Sequence, residues 1–299
     1  MNSTPPYRGR FAPSPSGPLH FGSLVSALCS FLQARSNQGE WLVRIEDIDP
    51  PREIAGASDL ILQALEVYGL HWDSEVCYQS QRIGIYKEYL QQLIDAGNSI
   101  NCDCTRAMIK ESGGIYSGFC IDRKLVPSAN TSTRFKPVSP ITSFYDQLLG
   151  KVTFSANEIE QNFVLKRKDG LFAYQLAVVI DDWKQGITEV VRGVDLLDST
   201  PKQLQLFQSF QIVPPEFFHH PVVIGRHQLK LSKQNKATAI DLVNPVPTLI
   251  KALSFLGQEL PENPDHASVE ELLDSATKNW NGSLIPNSSL EFRNASKTR

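Results

Sequence analysis

No apolar run in the 299-residue sequence approaches the roughly 18–20 residues that a membrane span needs. The longest candidate, residues 171–180, is short and carries polar residues. The first ten residues are polar, hold two prolines and lack the apolar centre of a signal peptide, so a cytoplasmic protein is expected. An excess of basic charge is also missing. Lys plus Arg is 29 and Asp plus Glu is 32, a formal net charge of −3. That excludes a chain-wide field for nucleic acid and leaves RNA contact to a local patch. Cysteine is sparse. Five of them, an odd number, do not make a disulfide framework. No internal repeat or low-complexity tract stands out. With 41% hydrophobic and 20% charged residues, the chain is not disordered.

What is present reads as strands alternating with helices. Tyr7–Phe11 is a short strand. Residues 12–18 hold three prolines and a glycine, which exclude helix and central strand. Gly22–Ala34 carries Leu24, Val25, Leu28, Phe31 and Leu32 at helical spacing. Trp41–Ile45 is a strand, and Ser58–Tyr68 and Ile83–Ala96 are helices. This alternation predicts an α/β fold, a parallel sheet with helices on both faces. Asn98–Pro140 breaks the pattern with three cysteines, a Gly113–Gly114 pair and a Pro/Ser/Thr-rich stretch, and reads as an insertion. Phe163–Lys166 and Phe172–Ile180 resume the apolar pattern, Ile187–Val191 is a strand and Lys202–Phe210 a helix. Val246–Leu256 and Val269–Trp280 look helical, and residues 285–299 are polar and loosely held. Four units are expected: residues 1–99, an inserted subdomain 100–162, a second catalytic half 163–236 and a short helical region 237–299.

Three motifs carry chemistry. The first runs Arg10-Phe-Ala-Pro-Ser-Pro-Ser-Gly-Pro-Leu-His20-Phe-Gly22-Ser23. A strand ends, a stiff loop turns and a helix begins. Unpaired amides at a helix start favour an anion, His20 can donate to a phosphate, and Gly22 lets a nucleotide approach the backbone. The second is Lys230-Leu-Ser-Lys233-Gln234. Lysines held on a transferring phosphate neutralise charge that develops there, although an isolated K-x-x-K is more often a solvated loop. The third is Cys102-x-Cys104 followed by Cys120. Thiolates hold zinc tetrahedrally, and three leave one ligand to find, with His71 and Asp103 open on chemistry.

Together the first two motifs resemble the paired signatures of class I aminoacyl-tRNA synthetases. Intervening segments resemble the glutamyl-tRNA synthetases: Leu42-Val-Arg-Ile-Glu46-Asp47-Ile-Asp49, Asp169-Gly-Leu-Phe-Ala-Tyr174, Val179-Ile-Asp181-Asp182 and Val190-Val-Arg192-Gly193. The resemblance covers about residues 7–235. Phe21, the 44–52 run, Gly-Gly-Ile-Tyr at 113–116 and Lys-Leu-Ser-Lys-Gln resemble a truncated branch, the glutamyl-Q tRNA(Asp) synthetases. The 65 residues after Gln234 are too few for an anticodon-binding region, which fits that branch.

The resemblance implies a class I Rossmann-like sheet with an inserted zinc-binding subdomain. It implies ATP-dependent activation of glutamate without tRNA, with Mg2+. The glutamate then passes to queuosine in the anticodon stem-loop of tRNA(Asp). His20, Lys230 and Lys233 would serve catalysis, and His20, Gly22 and Lys233 would bind ATP. Arg10, Phe11, Ala12, Pro13, Ser14, Glu46, Tyr174 and Arg192 would bind glutamate: each arginine can grip a carboxylate, and Glu46 can take the ammonium. Which arginine takes which carboxylate is left open. Tyr116 would be the fourth ligand of one structural zinc beside Cys102, Cys104 and Cys120. Val178 stands where the family often has Asn, and a core position is expected for it. Asp181 and Asp182 either orient the site or sit solvated at a loop end. Arg106, Lys110, Arg123, Lys124, Arg134 and Lys136 are candidates for RNA contact, and a monomer is expected. Two other readings stand beside this one: a compact glutamyl-tRNA synthetase charging a tRNA 3′ end, and a non-catalytic RNA-binding paralogue.

Overall fold

The computed structural model describes residues 6–111, 113, 116, 118–137, 139–155, 161–224, 238–287 and 290–291. Lys230 and Lys233 lie outside the described residues. The first half contains β1 (Arg8–Phe11), α1 (Phe21–Ser36), β2 (Glu40–Ile45), α2 (Ala57–Val67), β3 (Cys77–Tyr78) and α3 (Ile83–Asp95). The middle contains β4 (Ser99–Cys102), α4 (Arg106–Glu111), β5 (Ser132–Phe135), β6 (Ser143–Asp146), β7 (Gly150–Thr153) and β8 (Val164–Lys166). Then follow α5 (Tyr174–Lys184), β9 (Glu189–Gly193), α6 (Thr200–Ser209), β10 (Glu216–His220), β11 (Val223–Ile224), α7 (Val246–Phe255), α8 (Val269–Lys278) and β12 (Leu290–Glu291). No helix among the described residues is long and apolar enough to cross a membrane.

Strands β1, β2 and β3 pair in parallel in that order, and β9 pairs with β10 in parallel. The Thr188 amide donates to the Arg8 carbonyl at 2.9 Å, which sets β9 beside β1. The chain therefore leaves β1 toward β2 on one side and finds β9 on the other. In an open α/β sheet, ligands bind beyond the strand C-termini at such a reversal. Arg10, Glu46 and Arg192 all stand at or next to these ends.

Side chains alternate across a strand, so each strand feeds two faces. Phe11, Trp41, Val43, Ile45 and Val191 join the core under α1, α2, α7 and α8. Arg10, Arg44 and Arg192 point to the other face, toward α5 and α6. There α3, α5 and α6 build a second core around Tyr86, Leu176, Val179 and Phe207. One sheet face is thus apolar, and the other carries a row of buried arginines.

The inserted segment is not one piece. Strands β4, β5 and β8 form an antiparallel sheet beside the cysteines. The β6–β7 hairpin instead lies on β10, where the Gln147 amide donates to the Phe217 carbonyl at 2.8 Å.

Candidate active site

The proline loop is anchored where β2 ends. The Glu46 amide donates to the Pro13 carbonyl at 3.0 Å, and Gly17 takes a φ of 129°, a conformation that only glycine adopts readily. His20 caps α1, with its Nδ1 accepting from the Ser23 amide at 3.2 Å. Gly22 is the second residue of that helix. Phe11 turns its ring into the core, stacked on Trp41, so it offers the site its backbone. A pocket of about 340 Å³ opens between Ser14 and Ser16 of the loop and Glu46, Asp49 and Arg52 beyond β2. A larger cavity of about 820 Å³ lies at the other end of the sheet, near Tyr7, Thr188, Glu189 and Glu216. Those residues flank the strand N-termini, the end away from the loop.

Behind the pocket the charges form one cluster. Arg10 reaches Asp182 with two nitrogens, at 2.9 and 3.3 Å. Arg44, fully buried, contacts Asp182 at 2.8 Å, Glu46 at 3.5 Å and Asp181 at 3.9 Å. Asp181 also accepts from Gln79, Arg82 and Tyr86 at 2.6–2.8 Å. Asp181 and Asp182 are therefore neither solvated nor in a loop: they are buried in α5 and order the arginines. Breaking such a buried pair strands a charge, so each member fixes the others.

Arg192 differs. It is 5% exposed and makes no ion pair with a described carboxylate. Its Nε donates to His219 Nε2 at 3.0 Å, Nη1 to Gln203 at 2.8 Å and Nη2 to Thr200 at 2.8 Å. The Phe217 ring packs on its guanidinium. These bonds use three of the five N–H donors of an arginine, and Tyr174 is a further hydrogen-bond partner of the same guanidinium. Tyr174 stands beside the same group and also senses Glu46 and Arg10. Burial holds Arg192 below the usual arginine range. A buried cation with neutral partners is suited to an anionic ligand.

Burial raises Glu46 to about 7, against the pull of Arg44 and Arg10. Val178 is 1% exposed within the α3–α5–α6 core, as its apolar side chain requires. The cluster thus brings Arg10, Glu46, Tyr174 and Arg192 together. Sequence reading missed Arg44, Gln203 and His219 as parts of it.

A second centre lies in the insertion. The Sγ atoms of Cys102, Cys104 and Cys120 are buried and within 4.8 Å of one another, so they could hold a metal ion. The Cys104 and Cys120 sulfurs are 3.5 Å apart. Tyr116 joins this small core, and its hydroxyl accepts from the Cys120 amide at 2.9 Å. Arg134 is not an RNA-facing residue. Its position in β5 turns it inward, 5% exposed, over the Tyr116 ring at 4.1 Å. Arg123 pairs with Asp103, while Arg106, Lys110, Lys124 and Lys136 are exposed.

A family model described as the class I tRNA synthetase (E and Q) catalytic domain matches residues 7–117 and 121–278. The glutamyl-Q tRNA(Asp) synthetase of Vibrio parahaemolyticus is 50% identical over 280 residues, 94% of each chain. That of Escherichia coli (strain K12) is 50% identical over 293 residues, 97% of this chain and 95% of the relative. The chain belongs to the glutamyl-Q tRNA(Asp) synthetase family. It is an enzyme of the ligase type, built on a class I synthetase fold. A glutamate tRNA ligase from Elizabethkingia meningosepticum, solved in complex with its amino acid, superposes with a TM-score of 0.79 at 26% identity. The match covers 96% of this chain and 67% of the ligase. The chain therefore shares its fold with about two thirds of a longer enzyme.

Proposed function

We propose that the protein activates glutamate with ATP and transfers it to queuosine in the anticodon stem-loop of tRNA(Asp). Arg192 is the observation that carries the glutamate reading: a buried guanidinium on neutral partners, with Tyr174 beside it and Glu46 in the same cluster. Arg192 and Tyr174 take the side-chain carboxylate. Glu46, at the pocket wall, takes the α-ammonium. Arg10 is already neutralised by Asp182, so it lends the α-carboxylate its remaining polarity rather than a full charge. Phe11, Ala12 and Pro13 present backbone groups, and Ser14 lines the pocket.

The chemistry needs no general base. The attacking α-carboxylate is ionised at neutral pH and displaces pyrophosphate at the α-phosphorus of ATP. Catalysis is then positioning and neutralisation of phosphate charge. His20 and Gly22 at the start of α1 face the nucleotide, and Lys230 and Lys233 supply cations. Mg2+ on the ATP phosphates would spread their charge. Lys233→Ala should lower ATP–pyrophosphate exchange about 100-fold while sparing glutamate affinity. Calorimetry with glutamate alone checks the second half, and equal loss of both would point to misfolding.

Three buried cysteine sulfurs within 4.8 Å of one another fit one structural zinc, with Tyr116 as fourth ligand. The ion would tie the end of β4 to Tyr116 and Cys120. Residues 100–162, with exposed Arg106, Lys110, Lys124 and Lys136, would form the RNA-facing unit, and the enzyme would act as a cytoplasmic monomer.

The decisive test follows labelled glutamate into tRNA(Asp) with and without queuosine. Exchange without tRNA and label only on the queuosine-bearing RNA are expected. Label lost on removing the terminal ribose would overturn the acceptor assignment.

Glu46 gives a pH prediction. Its folded value of about 7 lies above the ordinary 4.5. The fold therefore favours the protonated form, and stability declines as pH rises from 4.5 to 7. Binding an ammonium needs the ionised form and improves over the upper part of that range. Glu46→Gln should thus gain up to about 3 kcal/mol of stability at pH 8, little at pH 4, by denaturant titration. The same substitution should raise the KM for glutamate at pH 8 and flatten its rise below pH 7. A variant that gains no more over the parent at pH 8 than at pH 4 would contradict the assignment.

A further inference from the structure

We propose that His219, fixed in its Nδ1–H tautomer by Asp146, is a positioning residue that aims Arg192 at the substrate carboxylate. The proposal rests on Arg192 holding that carboxylate. His219 and Arg192 are register partners on the parallel strands β10 and β9, so their side chains leave the sheet on the same face. Both are buried: His219 is 0% and Arg192 5% exposed. His219 Nδ1 lies 2.6 Å from Asp146 Oδ2, and its Nε2 lies 3.0 Å from Arg192 Nε and 3.2 Å from Thr200 Oγ1.

The tautomer follows from the partners. Arginine Nε can only donate, so His219 Nε2 must accept. The ring proton therefore sits on Nδ1 and is donated to Asp146. Asp146 cannot turn away. Its Oδ1 accepts from the Leu148 and Leu149 amides at 3.1 and 2.9 Å and from the His219 amide at 3.4 Å. The hairpin turn thus clamps the carboxylate, the carboxylate clamps the imidazole, and the imidazole sets the edge of the guanidinium. Thr200 and Gln203 hold the two Nη atoms from α6. Burial opposes a charged ring, and the bonds to Asp146 keep that carboxylate ionised. A neutral acceptor leaves the charge of Arg192 intact, whereas a carboxylate in the same place would neutralise it, as Asp182 does for Arg10.

Asp146→Asn tests this sharply. Three backbone amides keep the amide oxygen at the Oδ1 position, so the NH2 group must face His219 Nδ1. The ring proton moves to Nε2 and meets Arg192 Nε–H, donor against donor. An isosteric change then acts on Arg192 only through a tautomer. His219→Gln is the rescue, because its amide oxygen can accept from Arg192 whatever residue stands at 146.

The experiment uses the full chain in ATP–pyrophosphate exchange, with glutamate and then ATP varied. Asp146→Asn should raise the KM for glutamate about tenfold, the loss of one charge-assisted bond, and leave the KM for ATP within about twofold. Adding His219→Gln to Asp146→Asn should recover most of that loss, and a double variant no better than Asp146→Asn alone would overturn the relay. Nitrogen-15 spectra should show the His219 ring as Nδ1–H in the parent and Nε2–H in Asp146→Asn, the signal being assigned by its absence in His219→Gln. An unchanged glutamate KM in Asp146→Asn, while Arg192→Gln raises it, would overturn the relay and leave the Arg192 reading standing. An unchanged KM in Arg192→Gln as well would overturn both. Parallel losses for ATP and glutamate with a lowered melting temperature would mean a structural role, and would also overturn the proposal.

Discussion

Arg192→Gln should raise the glutamate concentration for half-maximal exchange by about 10²–10⁴-fold. Each hydrogen bond from a charged group contributes about 1.5–3 kcal/mol, and a bidentate grip on the carboxylate would make two of them. Arg192→Lys should fall between, because an ammonium keeps the charge but loses the planar fork. Stability should move differently. Arg192 is held by His219, Gln203, Thr200 and the Phe217 ring, none of them a carboxylate. Removing it strands no buried anion and relieves the desolvation that lowers its pKa. The melting temperature of Arg192→Gln should therefore hold or rise while glutamate binding collapses. Arg10→Gln should do the opposite to stability, since Asp182 would keep only Arg44. Exchange kinetics beside thermal unfolding separates the two. A destabilised Arg192→Gln with normal glutamate KM would remove Arg192 from the site.

Cys104→Ser should empty the proposed zinc site and melt the region around it while leaving the catalytic core folded. Cys102, Cys104, Tyr116 and Cys120 form their own small cluster with Ile100, Ile109 and Leu125, apart from the two main cores. Under the proposed zinc ligation so small an apolar cluster would depend on the ion for its order, as in small zinc domains where metal binding contributes about 10–16 kcal/mol. Zinc content by mass spectrometry should fall from one per chain toward zero. Proteolysis should then cut between residues 102 and 125. Glutamate exchange should persist at close to the parent rate, because the Arg10–Asp182–Arg44 cluster lies in other elements. Transfer to tRNA should drop by at least tenfold if the insertion presents the RNA. Unchanged zinc would show that Cys104 is not a ligand, and loss of exchange together with transfer would show that the insertion is needed for the core.

The fold was legible where periodicity was strong. The helix expected at Gly22–Ala34 is Phe21–Ser36, and the one at Ile83–Ala96 is Ile83–Asp95. The strand at Ile187–Val191 is Glu189–Gly193. Of the residues that the motifs named, the structure brings Arg10, Glu46, Tyr174 and Arg192 close together. Their supports were not legible. β10 reads Glu-Phe-Phe-His-His, too short and too polar at its end to announce a central strand. Asp146 reaches His219 across 73 residues and Arg44 reaches Asp182 across 138, distances at which local pattern is silent. One signal was available. Asp181 and Asp182 sit in the last turn of α5, where the helix dipole disfavours acids. A sequence that breaks a local rule without loss points to distant partners, here Arg44, Arg82 and Arg10.

The Asp181–Asp182 pair has a consequence for timing. Its arginines are drawn from β1, β2 and the segment before α3, so the pair sets only when the sheet has closed and α5 has docked. From then on the proposed glutamate half of the site would be already shaped and stiff. Glutamate should bind it with little change in heat capacity beyond its own burial, and with no slow step before binding. Under the proposed function, an RNA that arrives later would meet an amino acid already in place.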